Sequence, residues 1–133
     1  MTFRRLVYAV SVVGAFCGTS GLAHASCVGM AMAYDGSHGA VWQRQSCDQA
    51  RTEAINECHK YTRLNCTAHI TYWNGWAVGV HCTQDGRQDS AIGVGYDLSI
   101  ARVEAFRYAR TMGYQDYQCR VIREIGSEVG PTW

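Results

Sequence analysis

ARTEA at positions 50–54 returns as ARVEA at positions 101–105, in a chain of 133 residues. Other residues match in the same register, and they are Ala40-Val41 with Ala91-Ile92, Ser46 with Asp97, Cys58 with Ala109 and, with two extra residues, Cys66 with Cys119. Two short matches can arise by chance, but a series in one register indicates an internal duplication. We therefore expect two internal repeats, over about 28–73 and 76–125.

Both pentapeptides lie in segments with the pattern of a capped helix. Ser46-Cys47-Asp48-Gln49 is a capping box, and Asp97 is a good N-cap for the second segment. Small residues recur at every fourth position and form one stripe on each helix, namely Ala50, Ala54 and Cys58, then Ala101, Ala105 and Ala109. The arginines and glutamates between them lie towards water. The pentapeptides therefore predict helices that approach a sheet closely, and they need no catalytic role.

Strand patterns surround each helix in the same order. Alternating apolar runs at 28–34 and 40–45 flank a glycine-rich turn, and runs at 76–82 and 91–96 flank a longer polar turn, TQDGRQDS. After each helix comes a further strand pattern that opens with cysteine. We predict an α+β fold in which two tandem hairpin-helix-strand units form one disulfide-stapled antiparallel sheet, with both helices on one face.

The join between the repeats contains Asn74-Gly75, the strongest short signal for a β-hairpin. A two-residue loop there places Trp73 opposite Trp76 and His69 opposite Val80 on one side of the hairpin. The other side carries mainly small residues and suits the alanine stripes of the helices. We therefore expect the side with both tryptophans and His69 to be open.

Residues 1–25 have the features of a secretory signal. Arg4 and Arg5 precede an apolar run at 6–17, and Ala23-His24-Ala25 is a small-x-small cleavage site. The run is shorter than the ~20 residues that span a bilayer, so a retained anchor is the less favoured alternative. His24 also fits a lipoprotein signal poorly. We expect cleavage after Ala25, a single domain at 26–133 with no transmembrane segment, and a periplasmic or secreted location.

Cysteine number and spacing indicate disulfides. Six cysteines follow the predicted signal, and they are Cys27, Cys47, Cys58, Cys66, Cys82 and Cys119. An even number in an exported chain is typical of a disulfide framework. Cys58 ends the first helical stripe and Cys66 begins the next strand, so we predict that they bond, and the other four remain unassigned. Zinc bound by Cys58-His59 and His81-Cys82 is the alternative, but no C-x-x-C pair supports a metal site.

Net charge argues against a nucleic-acid partner. The chain has 12 basic and 11 acidic residues, and removal of Arg4 and Arg5 leaves 10 against 11, a formal charge of −1. A protein that binds phosphate backbones needs a basic face. The sequence also has no P-loop, H-E-x-x-H or G-x-S-x-G motif, so it indicates no cofactor and makes catalysis the less favoured class.

These motifs carry a family resemblance. In chain order they are AY…GAVW, A-x-x-x-A-x-x-x-C, C…WN…AVGV, AIGVG, A-x-x-x-A-x-x-x-A and C-x-V. With these motifs the chain resembles the exported bacterial family "domain of unknown function 4189" over most of 26–133. The resemblance implies export and paired cysteines, without an established activity. The chain departs from the family at Asn74-Gly75-Trp76, where relatives tend to have Asn-Ala-Cys, and at Ala109, which replaces a helical cysteine. The disulfides of relatives therefore do not transfer directly.

Large aromatic residues point to binding. The predicted binding site consists of Trp42, Trp73, Trp76 and His69. Aromatic side chains supply much of the binding energy at interfaces. A small stapled exported domain of this kind suits a protein or cell-wall partner, as in an inhibitor, an immunity-type protein or a secreted effector. A cell-envelope hydrolase and a purely structural envelope protein are the alternatives.

Overall fold

The computed structural model describes residues 27–44, 46–72, 75–126 and 130–132. The predicted signal at 1–25 lies outside these residues, as do Trp73 and Asn74. None of the described helices is long and apolar enough to cross a membrane.

The two halves of the chain contain the same succession of elements. The first half comprises β1 (Cys27–Met32), β2 (His38–Arg44), α1 (Cys47–Cys58) and β3 (Thr67–Tyr72). The second comprises β4 (Trp76–Gln84), β5 (Arg87–Gly95), α2 (Leu98–Thr111), a 3₁₀ helix (Asp116–Gln118), β6 (Cys119–Gly126) and β7 (Gly130–Thr132). The strands form two antiparallel sheets with the orders β2-β1-β3 and β5-β4-β6-β7. The predicted α+β class with disulfide staples is confirmed, although the strands divide between two sheets.

The helices cover opposite outer faces of the molecule, so the expectation that both share one face is wrong. The α1 stripe packs on Ala31 and Val41 of the first sheet, and the α2 stripe packs on Val78 and Val80 of the second. The inner faces of the two sheets meet across a third apolar cluster, formed by Val28, Met30, Met32, Ala40, Ala77, Ile92 and Ile125. Each sheet has an apolar cluster on both faces, because one face packs on a helix and the other packs on the second sheet.

Both helices begin at the predicted caps. Ser46 Oγ accepts a hydrogen bond from the Gln49 amide at 3.2 Å, and Asp97 Oδ1 accepts one from the Ile100 amide at 2.9 Å.

Close approach of a helix to its sheet also depends on glycine. A Cβ atom added at Gly93 of β5 would lie 2.8 Å from the Ala105 Cα atom, a distance that real side chains do not adopt. Gly93 and the alanine stripe of α2 therefore form one contact surface.

A β-bulge explains why the sequence alignment of the repeats fails within the second strand of each. Pairing of β1 with β2 shifts between Cys27 and Gly29, which leaves an extra residue in β2 beside Trp42. As a result Val41 packs on α1, whereas Ile92 faces the other sheet. Ala40 and Ile92 share the inter-sheet cluster and are the matching residues in space.

The predicted central hairpin does not form. β3 pairs with β1 through six residue pairs, from Cys27 with Tyr72 to Met32 with Thr67. β4 instead pairs with β5 on one edge and β6 on the other. Both edges of β4 are therefore occupied, and these non-local pairings prevail over the local Asn-Gly turn signal.

All six cysteines from Cys27 onwards form disulfides. Cys58 bonds Cys66, which ties the end of α1 to the segment before β3. The previously unassigned pairs are Cys27–Cys47 and Cys82–Cys119. The first half thus has two staples from α1, one to β1 and one to the segment before β3. The second half has one staple between neighbouring strands, because Ala109 occupies the helical position that matches Cys58.

Candidate functional site

A cleft of about 350 Å³ opens where the two sheets meet. Its lining comes from both halves of the chain, including the turn after β1, the segment before β3, β3 itself, β5 and α2. The side chains that give it its chemistry are Tyr34, Asn65, His69, Asp89, Ser90 and Tyr108. We call it the inter-sheet cleft.

His69 reaches the inter-sheet cleft from β3. It lies opposite Met30 in the pairing with β1, so its ring is on the face directed at the second sheet. The side chain is half-buried, and this burial lowers the pKa of His69, with a smaller contribution from the positive charge of Arg51. The imidazole is therefore neutral near pH 7, with one nitrogen that donates a hydrogen bond and one that accepts.

Asp89 supplies a carboxylate to the inter-sheet cleft from β5 and is held by two neighbours. Tyr114 donates its hydroxyl hydrogen to Asp89 Oδ2 at 2.7 Å, and Arg87 Nε donates to the same oxygen at 3.2 Å. Tyr114 is buried, and desolvation, followed by this hydrogen bond and the charge of Asp89, raises the pKa of its phenol. The phenol therefore remains a donor at neutral pH, and it orients the carboxylate.

Two tyrosines supply partly exposed aromatic rings to the inter-sheet cleft. Tyr34 is 51% exposed in the turn after β1, and Tyr108 is 43% exposed on α2. The Arg107 guanidinium lies over the Tyr108 ring at 4.8 Å, which supports that ring from outside. Each ring combines an apolar surface with a hydroxyl group that can donate or accept a hydrogen bond.

Two polar groups of the inter-sheet cleft are engaged in hydrogen bonds within the protein. Ser90 Oγ donates to the Ala33 carbonyl oxygen at 2.7 Å, and Asp89 is engaged by Tyr114. Nucleophilic catalysis needs a hydrogen bond between nucleophile and base, with the base oriented by a third group, and His69 has neither role here. Within the described part of the chain, no group of three His, Cys, Asp or Glu residues could hold a metal ion. The cleft is suited to hydrogen bonding and to contact with aromatic rings.

A second groove of about 450 Å³ lies between β2, the end of α1 and β6. Its functional lining consists of His38, Trp42, Arg44, Glu57, Tyr61 and Arg123. Arg44 forms an ion pair with Glu53 and donates through Nη1 to the Trp42 carbonyl oxygen at 2.9 Å. We call this the arginine groove.

The four predicted binding residues do not share one surface. His69 lies in the inter-sheet cleft, Trp42 lies in the arginine groove, and Trp73 falls outside the described residues. Trp76 packs against the cluster between the second sheet and α2. The prediction that Trp76 faces away from the helices is therefore wrong, because β4 is a central strand whose alternate residues from Trp76 onwards face α2.

Sequence reasoning missed Asp89 and Ser90 because it placed them in a long turn. β4 continues to Gln84 and β5 begins at Arg87, so the turn is only Asp85-Gly86. Both turn residues have positive φ, 48° and 82°, as a tight hairpin turn of type I′ requires. Asp-Gly is a known hairpin signal and could have located this part of the cleft.

Comparisons of the chain with protein-family models, curated proteins and solved structures find no match. The resemblance to domain of unknown function 4189 therefore stays a prediction, and function has to be argued from the two concave sites.

Proposed function

We propose that this chain is an exported, disulfide-stabilised binding protein that uses the inter-sheet cleft to hold a protein segment or a cell-wall component. The observation that carries the proposal is the lining of the cleft by two partly exposed tyrosines together with hydroxyl, amide, carboxylate and neutral imidazole groups. Binding sites typically combine an apolar or aromatic lining with a few polar groups that fix orientation. An inhibitor, an immunity-type protein and a secreted effector all belong to this class.

Covalent structure supports the exported part of the proposal. Three disulfides are typical of proteins that fold in an oxidising compartment outside the cytoplasm. Cys27, the first of these cysteines, lies two residues beyond the predicted cleavage site after Ala25. The intact mass of protein recovered from the producing cell checks this. A chain that keeps 1–25, or one with a diacylglycerol on Cys27, would contradict cleavage by an ordinary signal peptidase.

A paired set of tyrosine variants tests the cleft. Tyr34→Ser with Tyr108→Ser removes both cleft rings, while Tyr96→Ser with Tyr117→Ser removes two rings that are 87% and 84% exposed elsewhere. We expect the unaltered protein and the second variant to capture the same stoichiometric partner from periplasmic extract or from purified wall fragments. The cleft variant should lose that partner while keeping its melting temperature. Equal capture by all three proteins would place binding elsewhere.

Assays on the same purified protein distinguish the two alternatives, a cell-envelope hydrolase and a purely structural envelope protein. Turnover of wall fragments would establish a cell-envelope hydrolase, and the cleft variant would then identify whether the reaction takes place there. A protein that captures nothing and turns over nothing, although it is folded and oxidised, would favour a purely structural role.

A further inference from the structure

The two strands that border the inter-sheet cleft line it in different ways. β3 contributes only the alternate residues Thr67 and His69, whereas β5 contributes four consecutive residues, Asp89, Ser90, Ala91 and Ile92. Alternate residues of a strand share one face, and consecutive residues point to opposite faces, so a space that touches all four lies at the edge of the strand. The cleft therefore lies beside the open edge of β5 and against one face of β3.

The position of β5 in its sheet makes this edge available. In the second sheet β5 comes first in the order β5-β4-β6-β7, so it pairs with a strand on one side only. It forms nine residue pairs with β4 without a bulge. Natural edge strands are usually short, bulged or covered, because a long regular edge invites another strand. β5 has the length and regularity to accept one.

The hairpin turn determines which backbone groups of β5 point to the open edge. Asp85-Gly86 is a two-residue turn with positive φ at both positions, so the flanking residues Gln84 and Arg87 exchange two hydrogen bonds. Hydrogen-bonded pairs alternate along an antiparallel ladder. The amides and carbonyls of Ser90 and Ile92 therefore point away from β4 and towards the cleft.

The Cys82–Cys119 pair indicates the same alternation independently. The two Cα atoms are 4.0 Å apart, a spacing typical of facing residues that do not exchange hydrogen bonds. The backbone groups of Cys82 therefore point away from β6 and towards β5, where Cys82 pairs with Asp89. The next residue of β5 is Ser90, whose backbone groups consequently point outwards.

The outward-facing backbone groups of β5 have no backbone partner in the part of the chain that the structure describes. Ile92 is nevertheless only 5% exposed. Buried backbone amides and carbonyls are almost always paired in native proteins. An occupant of the cleft that supplies both donors and acceptors along this edge would complete the pairing.

A strand added to β5 would lie between two walls of different character. β3 lies across from β5 and presents Thr67 and His69. The opposite wall belongs to α2, which presents Tyr108, Thr111 and Met112. Asp89 is the only charged side chain among the described lining residues, and its ion pair with Arg87 at 3.2 Å brings the formal charge to zero. The walls therefore suit an uncharged segment whose side chains alternate between polar and apolar.

We infer that the inter-sheet cleft binds an extended, uncharged segment of a partner protein as an added strand, paired with the backbone of Ser90 and Ile92. The inference rests on the proposed function and names the class of partner for the same site. In this mode main-chain hydrogen bonds supply affinity and alternate side chains supply specificity. The outward groups of β5 recur every two residues, about 7 Å apart, which is the repeat of another extended chain. This repeat favours a peptide over a glycan.

A displayed library of random linear heptapeptides, selected on the purified protein, supplies the probe. We expect the enriched peptides to be uncharged and to alternate polar with apolar residues. The leading peptide is then synthesised in two N-methylated forms, one methylated at odd positions and one at even positions. Only one set of amides faces β5, so one form should bind at least tenfold more weakly than the parent peptide, and the other should retain its affinity. Equal affinities of the two forms, or a library that yields no peptide, overturn the inference.

Two substitutions at Ser90 assign the edge. Ser90→Pro removes the outward amide hydrogen and no hydrogen bond to β4, whereas Ser90→Ala removes only the side-chain bond to the Ala33 carbonyl oxygen. Ser90→Pro should lower the affinity for the selected peptide at least tenfold, and Ser90→Ala should retain it. Normal binding by a folded Ser90→Pro protein overturns the assignment. If that variant does not fold, the N-methylated peptides still decide the question with the unaltered protein.

Two further outcomes distinguish strand addition from other ways of filling the cleft. Wall fragments that the unaltered protein captures and the Tyr34→Ser, Tyr108→Ser variant loses, with no peptide selected, would support the proposed function and overturn strand addition. A concentration-dependent dimer that Ser90→Pro abolishes would place a second copy of the chain on β5 and overturn the inference of a separate partner.

Discussion

Tyr114 and Asp89 are joined by a hydrogen bond of 2.7 Å that links the segment after α2 to the lining of the inter-sheet cleft. Arg87 completes the contact, since its guanidinium lies 4.7 Å from the centre of the Tyr114 ring and donates to the Met112 carbonyl oxygen at 2.5 Å. The end of α2 is therefore fixed to β5 by three side chains. The buried Tyr114 phenol therefore fixes the position of the Asp89 carboxylate in the cleft lining, although Tyr114 itself does not line the cleft.

Tyr114→Phe should destabilise the fold. The change removes the hydrogen bond to the Asp89 carboxylate and leaves the packing of the ring intact. We expect the free energy of unfolding to fall by roughly 1.5–3 kcal/mol, the range for hydrogen bonds to charged groups. Urea denaturation measures it. Tyr117→Phe, at an exposed position, is the control and should be neutral.

High pH should reduce the stability that Tyr114 provides relative to phenylalanine at the same position. Burial raises the pKa of Tyr114 above its ordinary value near 10. The unfolded chain therefore loses this proton first, and the contribution to stability is complete below about pH 10 and declines as the pH rises beyond it. The difference in unfolding free energy between the unaltered protein and Tyr114→Phe should shrink from pH 9 to pH 11. A constant difference would contradict the raised pKa.

Acid should destabilise the fold through His69. Its pKa is lower in the folded protein, mainly because of burial, than the value of about 6.5 expected in the unfolded chain. The unfolded state therefore binds the proton first, so stability is complete above about pH 6.5 and declines as the pH falls below it. His69→Gln should flatten this part of the stability profile between pH 7 and pH 5. An unchanged slope in a folded His69→Gln protein would contradict the lowered pKa of His69.

Trp76→Ala should lower stability rather than leave it unaffected. The side chain packs against the cluster between the second sheet and α2 and is partly buried there. We expect a loss of about 2 kcal/mol, below the range for fully buried tryptophan. Thermal and urea unfolding measure it, with Tyr96→Ala as an exposed aromatic control. A neutral result would restore the expectation that Trp76 faces solvent.

The disulfides should differ in their contributions to stability. Cys82–Cys119 closes a separation of 37 residues, against 8 for Cys58–Cys66. By loop entropy alone, replacing the first pair with alanine should cost about 1.4 kcal/mol more than replacing the second. Urea denaturation of the two double variants measures the difference. Peptide mapping of the unreduced parent checks the pairings, and a Cys66–Cys82 peptide would contradict them.

Local signals predicted the helices well. The Ser46 and Asp97 caps depend only on neighbouring residues, and the alanine stripes depend only on helical periodicity. The division into two sheets was not predictable in the same way. Asn74-Gly75 is a strong local signal, but β3 finds a complete partner in β1, more than thirty residues earlier in the chain. Strand pairing depends on such distant partners, which a turn pattern does not reveal.

The sites were predictable only in part. His69 and Trp42 were predicted to be binding residues, and each lies in a concave site. Their separation into two sites could not be predicted, because it results from the stacking of one sheet on the other. Arg123 gave no signal, since its direction depends on a bulge whose presence is visible only in the pairing of β4 with β6.

The arrangement of the three apolar clusters has a consequence for the order of folding. Each outer cluster belongs to one half of the chain, whereas the inner cluster needs both. A chain that folds from its N-terminal end can complete the first sheet and α1 before β4 is available for pairing. Val28, Met30 and Met32 then face water on a finished sheet. Such an intermediate exposes apolar surface, and the risk of aggregation grows with its lifetime during folding and oxidation.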